Sequence, residues 1–86
     1  MIIGFHKSFD KQFILSAQAQ KDRVKKTILS FQANPLGPSF RNHPLKGEWR
    51  KYRSISAGGY LRLHYRVMSE EEVLFVTVGT HSQLYK

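Results

Sequence analysis

Imidazoles are the first chemistry to look for in this chain, and it has four, at His6, His43, His64 and His81. His81 lies in VGTHSQLYK, Val78 to Lys86, just beyond an apolar run of strand length, and Tyr85 follows four residues later. A residue beyond the end of a central strand is well placed for a concave site, and one turn of chain can bring Tyr85 to the same side. His43 lies in NHPLKG, inside a proline-rich stretch, where a surface histidine is unremarkable; His6 also reads as surface. The remaining palette is narrow. There is no cysteine, hence no thiolate nucleophile and no Cys-type zinc site. No phosphate loop of the GxxxxGK[ST] type is present, and no HExxH or GxSxG. The acids are Asp10, Asp22, Glu48 and the run Glu70, Glu71, Glu72, too few and too scattered for the convergent carboxylates of a two-metal nuclease.

Histidine, arginine, lysine and tyrosine remain, and they suit one reaction well. RNA can be cut by its own 2′-hydroxyl attacking the adjacent phosphate. The protein must take a proton from that hydroxyl, give one to the 5′-oxygen, and stabilise a crowded anionic phosphorane. Histidine does acid or base work near neutral pH. The arginine fork matches phosphate oxygens and stays charged, and aromatic rings stack on unpaired bases. This chemistry calls for no metal and no cofactor.

The charge points the same way. Fourteen Lys and Arg against six Asp and Glu leave +8 on 86 residues, a field that draws polyanions such as nucleic acid or an acidic protein. A chain of this length makes one domain, residues 1–86, that buries roughly 60–65% of its unfolded surface, so its core is thin. No apolar run approaches the ~20 residues needed to span a bilayer, and MIIGFHKSFDKQF has no signal-peptide pattern. A cytoplasmic protein with no membrane partner is expected.

The elements that must position these side chains follow from periodicity. IIGF at 2–5 is a short strand. Ser8 can cap the helix after it, with Phe9, Phe13 and Ile14 on one side. Gln18, Gln20 and Lys21 read as a polar hinge, and from Asp22 the pattern is helical again, with Val24, Ile28 and Phe31 on one face. Asn34-Pro35 ends it. Residues 35–47 hold all three prolines and form a long loop. The period then becomes two: a strand from Tyr52 to Ile55, a turn at Ala57-Gly58-Gly59, and a strand in which Leu61, Leu63, Tyr65 and Val67 alternate with Arg62, His64 and Arg66. An acidic turn leads to VLFVTV at 73–78, apolar on both faces like a central strand. The class is α+β, in the order β-α-α-β-β-β. Both helices pack on one face of a small, mostly antiparallel four-stranded sheet, and the opposite face is left partly open for binding. On that face His64 and Arg66 read as a solvated strand surface. Arg62 stands nearer the rim, close to Arg53 and Ile55 and within range of His81.

Three strings in order, HPLKGEWRKYRS at 43–54, LRLHYRV at 61–67 and VGTHSQLY at 78–85, resemble the RelE/ParE toxin superfamily, most closely its YafQ-like branch. SFDKQF near the start is also typical of it. The resemblance implies the RelE-like fold and a ribosome-dependent mRNA endonuclease of a type II toxin–antitoxin system, cutting the codon in the ribosomal A site. It implies three partners: a cognate acidic antitoxin, the ribosome and mRNA. Carried over by motif, His43 and His81 are the catalytic histidines, Arg62 a phosphate ligand, and Tyr85 a base-stacking or positioning aromatic. Arg53 falls where relatives carry Lys or Arg, and with Lys46, Arg50 and Lys51 it completes a set of candidate RNA ligands. Trp49 and Tyr52 read as packing residues. The chain departs from the branch at Ser56, where relatives have a second histidine, and at Tyr60, in the region of their aspartate; RelE-like members carry a lysine near Ile55. Which group is base and which is acid stays open. Two alternatives share the same features: a ParE-type toxin that inhibits DNA gyrase by binding, and a non-catalytic RNA-binding module. Histidines at a sheet rim argue against a pure binder.

Overall fold

The apolar alternation of the C-terminal half and the helical periodicity of the first third settle into a helix layer on a sheet. The computed structural model describes residues 1–84, apart from the side chains of His81 and Ser82. Its elements are β1 (Ile2–Phe5), α1 (Lys7–Ile14), α2 (Gln18–Ala33), β2 (His43–Pro44), β3 (Tyr52–Ser56), β4 (Leu61–Ser69), β5 (Glu72–Thr80) and the short α3 (His81–Leu84). The sheet order is β1-β5-β4-β3-β2. β1 runs parallel to β5, and the other pairings are antiparallel.

The sheet therefore has five strands rather than four. The added one is β2, inside the stretch expected to be loop. His43 pairs with Ser54 and Pro44 with Arg53, and Leu45 N donates to Tyr52 O at 2.9 Å. A proline is tolerated there because β2 is an edge strand, where its missing N–H forfeits no ladder bond.

The helix face of the sheet carries the core. Phe9 from α1 and Val24 and Phe31 from α2 bury themselves against Ile55, Leu63, Tyr65, Phe75 and Val78. Phe31 is the hub, meeting Tyr65 at 5.0 Å and Phe75 at 5.4 Å edge-on, geometries that add to simple burial. Two local expectations shift. α2 begins at Gln18, because Gln18 Nε2 donates to Asp22 Oδ1 across one turn at 3.0 Å, so the polar stretch is a first turn and not a hinge. Ile14 is 68% exposed and lies off the core face. The cap of α1 is His6, whose Nδ1 accepts from Ser8 N at 3.1 Å. Ser8 serves the sheet instead, as its hydroxyl donates to Val76 O at 2.6 Å.

Candidate active site on the open sheet face

Alternation along β4 sends Leu61, Leu63 and Tyr65 to the helices and Arg62, His64 and Arg66 to the other face. Register then aligns a polar row across four strands: His43 opposite Ser54, Ser54 opposite His64, His64 opposite Thr77. At about 4.8 Å per strand the row spans roughly 14 Å.

Thr77 joins this row only through a bulge. Tyr65 pairs with Phe75, but its neighbour His64 pairs with Thr77, so Val76 is an extra residue in β5. Strict alternation from the buried Phe75 would send Thr77 into the core; the bulge turns it to the open face and returns Val78 to the core. Helix α1 fixes the irregularity from behind. Ser8 binds the Val76 carbonyl, and Gln12 Oε1 accepts from Val78 N at 2.9 Å. Ser8 and Gln12 are one helical turn apart, so a single helix face holds both ends of the bulge.

A groove of about 410 Å³ opens over this row, lined by His43, Pro44, Leu45, Lys46, Trp49, His64, Thr77 and Leu84. His43 is exposed on its edge. Its Nδ1 lies 2.8 Å from Arg41 O. A carbonyl only accepts, so Nδ1 carries the proton and the Nε2 lone pair is left to act as a base. Two features hold this geometry. Arg41 sits in the left-handed region at φ 49°, the non-glycine residue that does so among those described. Asn42 clamps the segment: its Nδ2 donates to Pro35 O at 3.1 Å and to the Tyr65 hydroxyl at 2.7 Å, while its Oδ1 accepts from Arg53 Nε at 2.6 Å.

His64 differs from the solvated side chain expected at its position. It is 6% exposed. Burial, and after it the charge of nearby His43, lowers its pKa from 6.5 to about 4. It is therefore a neutral imidazole at neutral pH. Beside it, the buried Thr77 hydroxyl has no hydrogen-bond partner among the described residues. Trp49 is half-exposed at the groove and packs edge-on against Tyr52 at 5.3 Å, so it is both a packing residue and a wall.

The other site residues expected from sequence divide. Lys46 lines the groove. Arg62 shares the open face two residues from His64 and pairs with Ser56 and Gly79, not with Arg53 or Ile55. Its Nη1 donates to Gly59 O at 2.9 Å, Leu61 O at 3.0 Å and Ser56 Oγ at 3.2 Å, tying it to the β3–β4 turn. Arg50 and Lys51 stand exposed on the turn before β3, away from the groove lining. Arg53 projects with Tyr65 to the helix face and holds Asn42, so it braces His43 from behind the sheet. His81 opens α3, two residues after the Gly79 that faces Arg62; its side chain, and the whole of Tyr85, lie outside the described residues.

The turn into α3 is well specified. Thr80 Oγ1 accepts from Gln83 N at 3.3 Å, and Gln83 Oε1 accepts from Thr80 N at 2.8 Å. This is a reciprocal capping box, legible in the sequence as T-H-S-Q. Gly79 makes room for it, since a Cβ there would lie 3.0 Å from Gln83 Oε1 and 3.3 Å from Leu84 Cδ2. Sequence reasoning did not place His64 and Thr77 in the groove or Asn42 behind it. The bulge hides Thr77 from a period-two pattern, and no spacing marks Asn42. Among the described residues, no group of three or more His, Asp or Glu side chains is placed to hold a metal ion.

Comparison with known proteins agrees with this architecture. The mRNA interferase toxin YafQ of Escherichia coli (strain K12) is 28% identical over 87 residues, covering 96% of this chain and 94% of its own. A crystal structure of YafQ from E. coli BL21(DE3) superimposes with a TM-score of 0.82 at 23% identity, covering 98% of this chain and 97% of that one. A crystal structure of the E. coli DinJ–YafQ complex gives a TM-score of 0.73 at 25% identity, with 98% and 97% covered. A family model described as "Bacterial toxin of type II toxin-antitoxin system, YafQ" matches residues 1–86. That match spans the whole chain, which therefore belongs to the YafQ family of type II toxin–antitoxin toxins.

Proposed function

We propose that this toxin is an mRNA interferase that cleaves RNA at the groove over the open sheet face. The observation that carries the reading is His43, whose protonated Nδ1 is held by Arg41 O so that Nε2 serves as a base at the groove's edge. In this reading His43 Nε2 takes the 2′-hydroxyl proton, and the 2′-oxygen attacks the adjacent phosphorus. The bond from phosphorus to the 5′-oxygen breaks, and His81 returns a proton to that oxygen. The products are a 2′,3′-cyclic phosphate and a 5′-hydroxyl. Lys46 and Arg62 stabilise the phosphorane charge from the same face, and Tyr85 positions a base. Arg50 and Lys51 track the backbone further out. No metal takes part.

The name of the E. coli relative supports the substrate class, and the +8 charge suits a ribosome-bound message as well as free RNA. The reading includes action in the ribosomal A site, in the cytoplasm, with silencing by an acidic antitoxin. The E. coli relative is solved in complex with DinJ, and a strongly basic toxin favours a partner of opposite charge. No helix among the described residues is long and apolar enough to cross a membrane. End-group analysis of the cleavage products tests the chemistry. A 2′,3′-cyclic or 3′-phosphate is expected, and a 5′-phosphate would rule out attack by the 2′-hydroxyl.

A further inference from the structure

A domain with so thin a core gains from burying every large ring it has. Trp49 is the chain's single tryptophan, yet it is 49% exposed. Lone apolar side chains on a surface are ordinary, but the place of this one is not. Among the described residues, it is the one exposed large apolar side chain that lines the groove. Its ring is also held in position. Gly47 at φ 66° turns the chain after Lys46, Trp49 N donates to Lys46 O at 3.3 Å, and the Tyr52 ring packs edge-on against the indole at 5.3 Å.

An accessible aromatic ring, fixed at the side of a groove of about 410 Å³, can serve as a stacking platform. Pro44, Leu45 and Leu84 add apolar surface around it, and a flat ring with two apolar faces suits such walls. Nucleobases have that form. Stacking on an indole accepts all four, because each has a π-face. The topology says which nucleotide is concerned. His43, Pro44, Leu45 and Trp49 come from one stretch of chain at the β2 edge of the sheet, whereas Leu84 comes from α3, which follows β5 on the far side of β3 and β4. In the proposed reaction His43 takes the 2′-hydroxyl proton, and His81, the first residue of α3, returns one to the leaving oxygen. The nucleotide that carries the attacking hydroxyl therefore lies on the His43 side, with Trp49, and the leaving nucleotide lies toward α3.

We propose that Trp49 stacks on the base of the nucleotide immediately 5′ of the cut and so holds its 2′-hydroxyl against His43. This rests on the reading of the groove as the place where RNA is cut. The test pairs a change in the protein with a change in the RNA. Single-turnover cleavage at one mapped site is measured for wild type, Trp49→Ala and Trp49→Phe on the intact message. It is repeated on messages in which the ribose 5′ of the cut, or the one 3′ of it, keeps its hydroxyl but lacks its base. Wild type is expected to slow by about tenfold or more when the 5′ base is missing. Trp49→Ala, its fold verified by urea unfolding, is expected to show that loss already on the intact message and to lose no more without the 5′ base. Trp49→Phe, which keeps a flat ring, is expected to restore the dependence on that base. Wild type indifferent to the 5′ base would overturn the proposal whether or not the alanine variant folds. So would losses from the two changes that simply multiply, or a coupling found with the 3′ base instead. Because the chain has no other tryptophan, fluorescence separates this failure from that of the nuclease reading. Wild type that cuts no RNA, but whose emission is quenched by a 2′-O-methyl RNA trinucleotide and not by the same molecule without its bases, would refute the nuclease and leave Trp49 a stacking residue. No cleavage and no quenching would overturn both.

Discussion

Acid should act on this fold through His64. The imidazole is buried among Ser54, Thr77 and the groove walls, and its pKa falls from 6.5 to about 4. A histidine with a depressed folded pKa binds its proton more readily when unfolded. Stability is therefore full above about pH 6.5 and declines as the pH falls toward 4. At about 1.4 kcal/mol per pH unit the whole interval corresponds to at most roughly 3.5 kcal/mol. That is a large part of the stability of a small domain, which runs to about 5–15 kcal/mol. Urea unfolding at pH 7.5, 6.5, 5.5 and 4.5 measures the decline directly, and His64→Leu supplies the control, because it removes the titrating group and fills the site with an apolar side chain. Wild type is expected to lose about 2–3 kcal/mol more than the variant across that range. Parallel pH profiles for the two proteins would refute the reasoning, since the decline would then belong to other groups.

Three further outcomes follow from the geometry. Asn42→Ala removes three hydrogen bonds, leaves the Tyr65 hydroxyl and Arg53 without that partner, and is expected to cost about 2–3 kcal/mol in urea unfolding and to slow RNA cleavage through His43; a change below about 0.5 kcal/mol would show that the clamp does not hold the segment. Gly79→Ala places a methyl against Gln83 and Leu84, so it should displace α3 and with it His81, lowering cleavage about tenfold or more with a small change in melting temperature; wild-type cleavage would show that the position of α3 is immaterial. Cleavage of free RNA in EDTA is expected to proceed at its usual rate, and activity lost in EDTA but restored by a divalent cation would remove the metal-independent mechanism.

Much of the architecture was open to reading because its signals are local. Leu61, Leu63 and Tyr65 alternate with Arg62, His64 and Arg66 along β4, Gly58 and Gly59 occupy the positive φ their turn needs, and Asn34-Pro35 stops α2. The two-residue β2 escaped because it has no period at all; its identity as a strand comes from the ladder it makes with β3. Capping by His6 escaped because serine is the commoner cap, and Ser8 was already committed to a carbonyl on β5 far along the chain. For the site, motif resemblance brought out His43, and the structure gives it a held tautomer. His64 was misread because a histidine between two arginines on a strand resembles a solvated face. Only the third dimension shows that β2, the Trp49 turn and α3 rise around it. Thr77 depended on a bulge that is fixed by long-range bonds to α1, which no pattern within β5 reveals.

The His43 groove is the proposed place of RNA cleavage. The direct measurement is primer extension on a message in a purified translation system, with single-turnover rates for wild type and for His43→Ala whose fold is verified by its unfolding curve. Discrete cuts within codons by wild type, slowed by about 100-fold or more in His43→Ala, are the predicted result. Equal cleavage by the two proteins would contradict it, and no cleavage by either, with growth still arrested in cells, would point instead to gyrase.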